Sequence, residues 1–102
     1  MSTALTFSTG RGPDDTAVLA AAGEIDMSNA ATFAAALDQA RQTNPGTPLT
    51  VDLTAVEYID SAGLAAIFAH VEHVRLLATP LLAPLLTVAG LDDLTTIQEP
   101  GE

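Results

Sequence analysis

Hydrophobic positions along the chain predict strands that alternate with helices. Leu5 and Phe7 alternate with the polar Thr6, and the turn-forming residues 10–15 follow, so the chain begins as strand, loop, strand. The next run, residues 16–22, is almost wholly apolar. A strand without alternation is typical of burial on both faces, so we expect this one in the interior of a sheet with both faces covered.

The first predicted helix follows that strand. Ser28 and Asn29 have side chains that can accept hydrogen bonds from the free backbone N–H groups at a helix start. Apolar residues then follow at helical spacing: Ala30, Phe33, Ala34 and Leu37. We expect this helix to end near residues 44–46, where Asn, Pro and Gly occur together.

A second strand-and-helix unit comes after Pro48. Leu49, Val51 and Leu53 alternate with polar residues and should share one face of a strand. Apolar residues at offsets of 0, 3, 4 and 7 then predict the core face of a helix: Leu64, Ile67, Phe68 and Val71. A second stripe on the same helix consists only of methyl groups: Ala62, Ala65, Ala66 and Ala69.

The last third of the chain predicts a strand at residues 76–78, a short helix and a final strand at 94–97. Pro84 can begin the helix and Gly90 can end it. Residues 76–91 are uncharged, but they are fewer than the about 20 that a membrane helix needs and contain prolines, so we interpret them as buried core. The order ββαβαβαβ predicts one domain of the α/β (α+β) class over residues 1–102, with residues 98–102 as a C-terminal tail.

Composition narrows the classes of function. The chain has 13 acidic and 3 basic residues, a formal charge of −10, yet 48% of its residues are hydrophobic, so it should fold. Strong acidity argues against nucleic acid and anionic membranes as partners and favours basic proteins. The absence of cysteine removes thiol catalysis and Cys-type zinc sites. No signal-peptide pattern occurs at the N-terminus, so we expect a cytoplasmic location.

Ser61 is the residue with the most distinctive position. Asp60 and Ser61 fall where the predicted strand ends and the helix begins, so the Ser61 hydroxyl can cap the helix near the positive end of its dipole. A serine in this position is most often only a cap. If Ser61 has a further role, that role uses a hydroxyl that is exposed and accessible to reaction.

Hydrolytic catalysis by Ser61 is the first alternative. Residues 59–63 match half of a nucleophile elbow, but Ile59 stands where that motif has glycine. His70 and His73 lie 9 and 12 residues further along the predicted helix, which places them about 13–18 Å away, beyond the reach of a general base. We therefore expect no enzyme and no catalytic residues.

Metal or nucleotide binding is the second alternative. His70 and His73 could share a helix face with Glu72 nearby, but a catalytic zinc usually needs three well-placed ligands, and exposed helix histidines are far commoner. Neither standard glycine-rich phosphate loop occurs in the chain. We expect neither metal nor cofactor.

Four short stretches of sequence and one predicted helix together carry a resemblance to a known domain family. The stretches are Gly23-Glu24-Ile25-Asp26, Val51-Asp52-Leu53, Tyr58-Ile59-Asp60-Ser61-Ala62-Gly63-Leu64 and Ala89-Gly90-Leu91. The helix is the one predicted directly after the first stretch. Together they resemble the STAS domain of bacterial anti-sigma factor antagonists, and the match spans nearly the whole chain. The resemblance implies a single STAS-like domain with a mixed sheet packed against helices.

The resemblance also implies a function. In that family the antagonist binds an anti-sigma factor, which is itself an ATP-dependent serine kinase, and so releases a sigma factor for transcription. The serine matching Ser61 is phosphorylated by that kinase, and a separate phosphatase removes the phosphate. The residue matching Asp26 lies near the serine on the partner-binding surface. Phosphorylation would add about −1.5 to −2 charges beside Asp60.

We expect the partner to pack on the strand-to-helix junction and on the alanine stripe, unless that stripe is covered by the domain itself. The predicted partner-binding residues are Asp26, Asp60, Ser61, Ala62, Gly63, Ala65, Ala66 and Ala69. The alternative function is a STAS module that scaffolds or senses without phosphorylation, within a larger signalling or transporter assembly.

Overall fold

Five strands form one mixed sheet in the computed structural model, which describes residues 4–12, 15–88, 90 and 97–98. The order ββαβαβαβ is confirmed, with one additional 3-10 turn. The elements are β1 Thr6–Arg11, β2 Ala17–Ile25, α1 Ala30–Thr43, β3 Leu49–Ile59, α2 Ser61–Phe68, the 3-10 turn Val71–His73, β4 Val74–Leu77, α3 Ala83–Val88 and β5 Ile97–Gln98.

The strands lie side by side in chain order, β1 to β5. β1 is antiparallel to β2, and every later neighbouring pair is parallel. Parallel neighbours need a crossover, and crossovers are right-handed, so α1, α2 and α3 all cross the same face of the sheet. Their buried side chains join those of the strands in one core cluster. The domain therefore has two layers, with helices on one side of the sheet.

β2 lies between β1 and β3, in the interior of the sheet as predicted. Its residues nevertheless alternate between buried and half-buried along all nine positions. Leu19 and Ile25 face the helices and are 2% and 0% exposed, whereas Val18 and Ala20 face the other side. The prediction of full burial on both faces is wrong, because among the described residues no helix covers that second face.

The end of β2 needs its glycine. Gly23 has φ +103°, and the register between β2 and β3 shifts between Gly23 and Glu24. A side chain is unfavourable at positive φ, so glycine is the residue that allows this irregularity. The strand then continues until Ile25 lies opposite Ile59 in β3. The loop that begins at Asp26 therefore starts level with the end of β3.

The helical spacing predicted for α1 and the shared face predicted for β3 are confirmed. Phe33 and Leu37 on α1 are fully buried, and the Phe33 ring stacks on Phe7 of β1 with 6.3 Å between ring centroids. Leu49, Val51 and Leu53 of β3 are at most 1% exposed. α1 ends at Thr43 with Asn44 as its C-cap, in agreement with the expected end near residues 44–46.

The core face of α2 includes Gly63 and Ala66 in addition to most of the predicted residues, and it leaves out Phe68. Gly63, Ala66 and Ile67 are buried, while Phe68 is 37% exposed. The helix ends at Phe68, so Val71 belongs to the 3-10 turn and does not extend the helical face. Gly63 also lacks a side chain that would hold the helix away from the sheet. Of the predicted core face, Ile67 is fully buried, Leu64 and Val71 pack partly buried against the core, and Phe68 is exposed.

The last third of the chain agrees in outline with prediction. β4 begins directly after the 3-10 turn, α3 begins one residue before Pro84, and Gly90 has φ +89° beyond the end of α3. The buried residues here are Leu76, Ala78, Leu82 and Leu86. Leu81 and Leu85 are 87% and 42% exposed, so the interpretation of residues 76–91 as buried core is only partly correct.

Some predicted features lie partly outside the described residues. Within residues 94–97, only Ile97 is described, and it pairs with Leu76 as part of β5. Gln98, predicted as the start of a tail, belongs to the same strand, and residues 99–102 lie outside the described part. None of the helices within the described ranges is long and apolar enough to span a membrane.

Candidate functional site

The candidate site lies where the parallel strands end. β2, β3 and β4 point the same way, so the loops after them meet at one edge of the sheet. The loop after β2 contains Asp26 and Met27, the junction after β3 contains Asp60 and Ser61, and the turn after β4 contains Leu81. We call this edge, formed by residues 24–28, 57–62 and 79–82, the Ser61 edge.

Asp60 connects two of these loops and is the N-cap of α2. One carboxylate oxygen, Oδ1, accepts hydrogen bonds from the backbone N–H groups of Ala62 and Gly63, at 2.9 and 3.1 Å. The other oxygen, Oδ2, accepts one from the backbone N–H of Met27 at 3.1 Å. The prediction that Ser61 caps the helix is therefore wrong, because the residue before it has already taken that role.

Ser61 is the first residue of α2 and is exposed. Within the part of the chain that the structure describes, no residue makes a hydrogen bond with its Oγ atom. Because Asp60 satisfies the helix N–H groups, the Ser61 hydroxyl has no structural task in this arrangement. It is an exposed hydroxyl on a rigid element, a geometry that an enzyme acting on serine can reach.

Asp26 begins the neighbouring loop and is organised by hydrogen bonds within it. Its Oδ1 atom accepts from both the side-chain hydroxyl and the backbone N–H of Ser28. These bonds, the hydroxyl bond first, lower the pKa of Asp26 below its ordinary value of 3.8. The carboxylate is therefore ionised under physiological conditions.

Ser28 and Asn29 do not cap α1 in the predicted way. The Asn29 side chain makes no capping bond; its Oδ1 accepts from the backbone N–H of Asp26, and its Nδ2 donates to the carbonyl of Glu24. Ser28 donates to Asp26. Both side chains point back toward β2, because the tight turn at residues 26–29 brings them within hydrogen-bonding distance of Glu24 and Asp26. They shape the Asp26 loop and do not satisfy helix N–H groups.

Gly63 packs where no side chain fits. A Cβ atom added there would lie 2.6 Å from Ile25 Cγ2 and 2.7 Å from Ile59 Cγ1. Ala66 is only 8% exposed and belongs to the core. Gly63 and Ala66 therefore face the sheet, and of the predicted partner-binding residues these two offer the least surface for direct contact.

The exposed stripe of α2 and the residue after it has a different composition from the one predicted. It consists of Ser61, Ala65, Phe68 and Ala69. Offsets of 0, 4, 7 and 8 place these residues on one helical face. Ala62 is half-buried beside it. Of the predicted alanine stripe, Ala65 and Ala69 are exposed.

The histidines lie at the opposite edge of the sheet from Ser61. His70 follows α2, and its Nδ1 atom is 2.8 Å from Arg41 Nη1 on α1. Burial, and then the positive charge of Arg41, lower the pKa of His70. Among the described residues no group of three or more potential ligands is arranged to hold a metal ion. Sequence patterns offered no signal for the contact between His70 and Arg41.

Two exposed apolar side chains at the Ser61 edge were missed from the sequence. Met27 is 82% exposed and Leu81 is 87% exposed. The available signal was an apolar residue in a polar turn, directly after Asp26 in one case and between Pro80 and a helix in the other. Such residues rarely attract attention singly, because isolated exposed apolar side chains are normal.

A family model described as "Mlab, STAS domain" matches residues 8–97. The chain therefore belongs to the STAS domain family. Searches against curated proteins find no match.

Solved structures place the fold among anti-sigma factor antagonists. An anti-sigma factor antagonist from Mycobacterium paratuberculosis is 26% identical, with a TM-score of 0.82 over 93% of this chain and 86% of that one. The antagonist SpoIIAA in its unphosphorylated form is 17% identical, with a TM-score of 0.71 over 95% and 90% of the two chains. SpoIIAA of Bacillus in its phosphorylated form is 17% identical, with a TM-score of 0.65 over 95% and 93%. The two SpoIIAA structures are similar to this chain in fold.

Proposed function

We propose that this protein is an anti-sigma factor antagonist that phosphorylation of Ser61 inactivates. Its partner is an anti-sigma factor with serine kinase activity, and a phosphatase restores the active form. The protein acts by binding in the cytoplasm, without catalysis of its own, and so regulates sigma-factor-dependent transcription. The observation that carries this proposal is the exposed Ser61 hydroxyl, free of side-chain hydrogen bonds within the described residues, in a fold shared with anti-sigma factor antagonists.

The surroundings of Ser61 support a phosphate-dependent change in binding. Asp60 already occupies the N–H groups of Ala62 and Gly63, the donors that would otherwise stabilise a phosphate at a helix start. A phosphate on Ser61 would compete with the Asp60 carboxylate for these donors and repel it. Displacement of Asp60 would also weaken its bond to the Met27 N–H. Phosphorylation would thus change both the charge at Ser61 and the position of the loop that contains Met27.

The proposed partner-binding surface is smaller than the sequence-based one. It retains Asp26, Asp60 and Ser61 in the loops, and Ala62, Ala65 and Ala69 along α2. Gly63 and Ala66 support it from the core side, because both pack against the sheet. A partner that fits the neutral serine would lose contact once a doubly charged group stood between the two surfaces.

The first test is phosphorylation of the full chain by the candidate anti-sigma factor kinase with MgATP, with the modified residue mapped by mass spectrometry. We expect phosphate on Ser61 in the wild-type protein and in Ser8→Ala, and none in Ser61→Ala. Ser8 is a suitable control because it is also exposed but lies on β1, away from the Ser61 edge.

Binding of the same kinase, measured by calorimetry without ATP, is the second readout. Ser61→Asp should bind about tenfold or more weakly, because a larger, charged side chain would stand within the contact and compete with Asp60 for the helix N–H groups. Ser61→Ala should bind like the wild type. Ser8→Asp should change nothing. Absence of phosphate on Ser61 together with unchanged binding of Ser61→Asp would rule out the switch. That result would favour a STAS scaffold or sensor module in a larger signalling or transporter assembly.

A further inference from the structure

The basic side chains all lie at one end of the molecule. The chain has three arginines and two histidines and no lysine, and the structure describes all five. Each lies where β1 ends, where α1 ends, or at the beginning of β4, which is the edge opposite Ser61. They are Arg11, Arg41, Arg75, His70 and His73.

The Ser61 edge is acidic and contains no basic residue. Glu24 and Asp26 lie at the end of β2, and Glu57 and Asp60 lie at the end of β3. Four carboxylates without a compensating cation create a negative potential at this edge. A protein that docks there must supply positive charge, since apposed like charges would cost free energy.

Two apolar side chains stand on either side of Ser61 at this acidic edge. The sheet order places the Met27 loop, the Ser61 junction and the Leu81 turn next to one another, with Ser61 in the middle. Met27 and Leu81 are more than four-fifths exposed, the highest values among the described large hydrophobic residues. Because they lie on both sides of Ser61, one partner that covers the Ser61 junction can bury both side chains and gain the free energy of removing them from water.

Hydrogen bonds fix both anchors on the folded protein. The Met27 backbone N–H donates to Asp60. The turn that carries Leu81 is closed by the Leu82 N–H, which donates to the hydroxyl and the carbonyl of Thr79 at 3.2 and 3.0 Å. A partner that covers these side chains therefore pays little to order the loops, which favours affinity.

We infer that Met27 and Leu81 are the two apolar anchors of a docking surface centred on Ser61. Its occupant is a partner face that combines basic residues with two apolar recesses. This inference rests on the proposed function and names the contacts and the chemistry of that same partner.

The charge pattern has a consequence for how phosphorylation acts. A phosphate adds negative charge to an acidic edge, so it strengthens long-range attraction to a basic partner. Release must therefore come from short-range effects: the volume of the phosphate within the contact, and displacement of Asp60 from the Met27 N–H. The Met27 anchor then loses the bond that positions it.

The test measures affinity of the full chain for the anti-sigma factor kinase, without ATP, for Met27→Ser and Leu81→Ser. Each should bind about tenfold more weakly, mainly through faster dissociation, because a hot-spot side chain has been truncated. Val18→Ser is the control: it also shortens an apolar side chain that is partly exposed, but near the start of β2, at the opposite edge of the sheet from Ser61. It should bind like the wild type, with folding of each variant verified by thermal denaturation.

The outcomes separate this inference from the function on which it rests. If the kinase phosphorylates Ser61 and binds all three variants as tightly as the wild type, the anchors are refuted and the antagonist function stands. Equal weakening by Val18→Ser in a folded protein would also refute a surface centred on Ser61. If the kinase neither binds nor phosphorylates the wild-type chain, the function and the anchors are both refuted.

Discussion

Asp60 caps α2, and Ser61 beside it is left with an exposed hydroxyl that takes no part in the cap. Aspartate and serine are equally good N-caps, so the sequence Asp60-Ser61 allows either to cap α2. In the structure the carboxylate of Asp60 takes the capping bonds, and the serine becomes the first helical residue. The helix start is therefore independent of the Ser61 hydroxyl, and replacement of Ser61 by alanine does not remove a cap.

Gly63 offers a direct test of packing beneath the site. Gly63→Ala should lower the free energy of unfolding by about 1–3 kcal/mol, because the added methyl group would overlap Ile25 and Ile59. The atoms in the way, Ile25 Cγ2 and Ile59 Cγ1, are attached directly to their Cβ atoms and cannot swing aside without a change of rotamer. Urea denaturation measures the difference.

Gly10→Ala is the matched control for this prediction. A Cβ atom at Gly10 meets nothing within 4 Å, so the variant should be as stable as the wild type. Equal midpoints for Gly63→Ala and Gly10→Ala would mean that α2 moves away from the sheet at no cost, in contradiction to the close packing of Gly63 against Ile25 and Ile59.

At the scale of elements, Asp60 joins the β2–α1 loop to the start of α2. The two functions of its carboxylate use different oxygens: Oδ1 caps the helix, and Oδ2 holds the Met27 N–H. Asparagine keeps one acceptor oxygen and replaces the other with a donor. Substitution with asparagine can therefore separate the cap from the connection between the loops.

We expect Asp60→Asn to preserve the helix cap and lose the bond to Met27. Hydrogen exchange followed by NMR should show a faster-exchanging Met27 amide, with little change at Ala62 and Gly63. Asp60→Ala should accelerate exchange at all three amides and lower stability by about 1 kcal/mol through loss of the cap. Ser61→Ala is the control and should leave all three amides unchanged. A Met27 amide that stays protected in both Asp60 variants would show that Asp60 does not position this loop.

Two elements show why hydrophobic pattern alone misplaced part of the site. β2 is apolar on both faces, which is typical of a covered strand, but small alanines tolerate half-burial on an open face at little cost. α2 has apolar residues on nearly every side, so the predicted core face and the alanine stripe were both compatible with its sequence. Only the position of the sheet and the early end at Phe68 decide which face is inward.

At the scale of the molecule, the topology gathers the basic residues at one end. Because the crossover helices return the chain to the same edge each time, residues that follow strands gather at one end and residues that precede strands gather at the other. The sequence shows the excess of 13 acids over 3 bases, but not that the bases share one end. The Ser61 edge therefore has acidic residues with no basic residue among them, which the net charge of the whole chain does not reveal.

This polarity predicts how association with the partner depends on salt. The association rate should fall as ionic strength rises, while the dissociation rate changes little, because salt screens long-range attraction more than close contact. The double variant Glu24→Gln, Glu57→Gln should associate more slowly and show a weaker salt dependence. Surface plasmon resonance over a series of salt concentrations measures both rates.

The control for this prediction changes charge by the same amount at the opposite edge. Asp15→Asn combined with Glu72→Gln removes two acids near the start of β2 and of β4. It should keep the association rate and salt dependence of the wild type. If both double variants slowed association equally, net charge rather than the acidic Ser61 edge would govern the encounter.

The sequence by itself determined the order of the elements, the buried face of β3 and the position of Ser61 at a strand-to-helix junction. These features depend on local periodicity and on residue types with strong backbone preferences, which act within a few residues. The tertiary structure decided that Asp60 caps α2, that Gly63 and Ala66 face the core, and that Met27 and Leu81 lie on either side of Ser61. Those features depend on contacts between segments distant in the chain, where several arrangements satisfy the local pattern equally and only packing selects one.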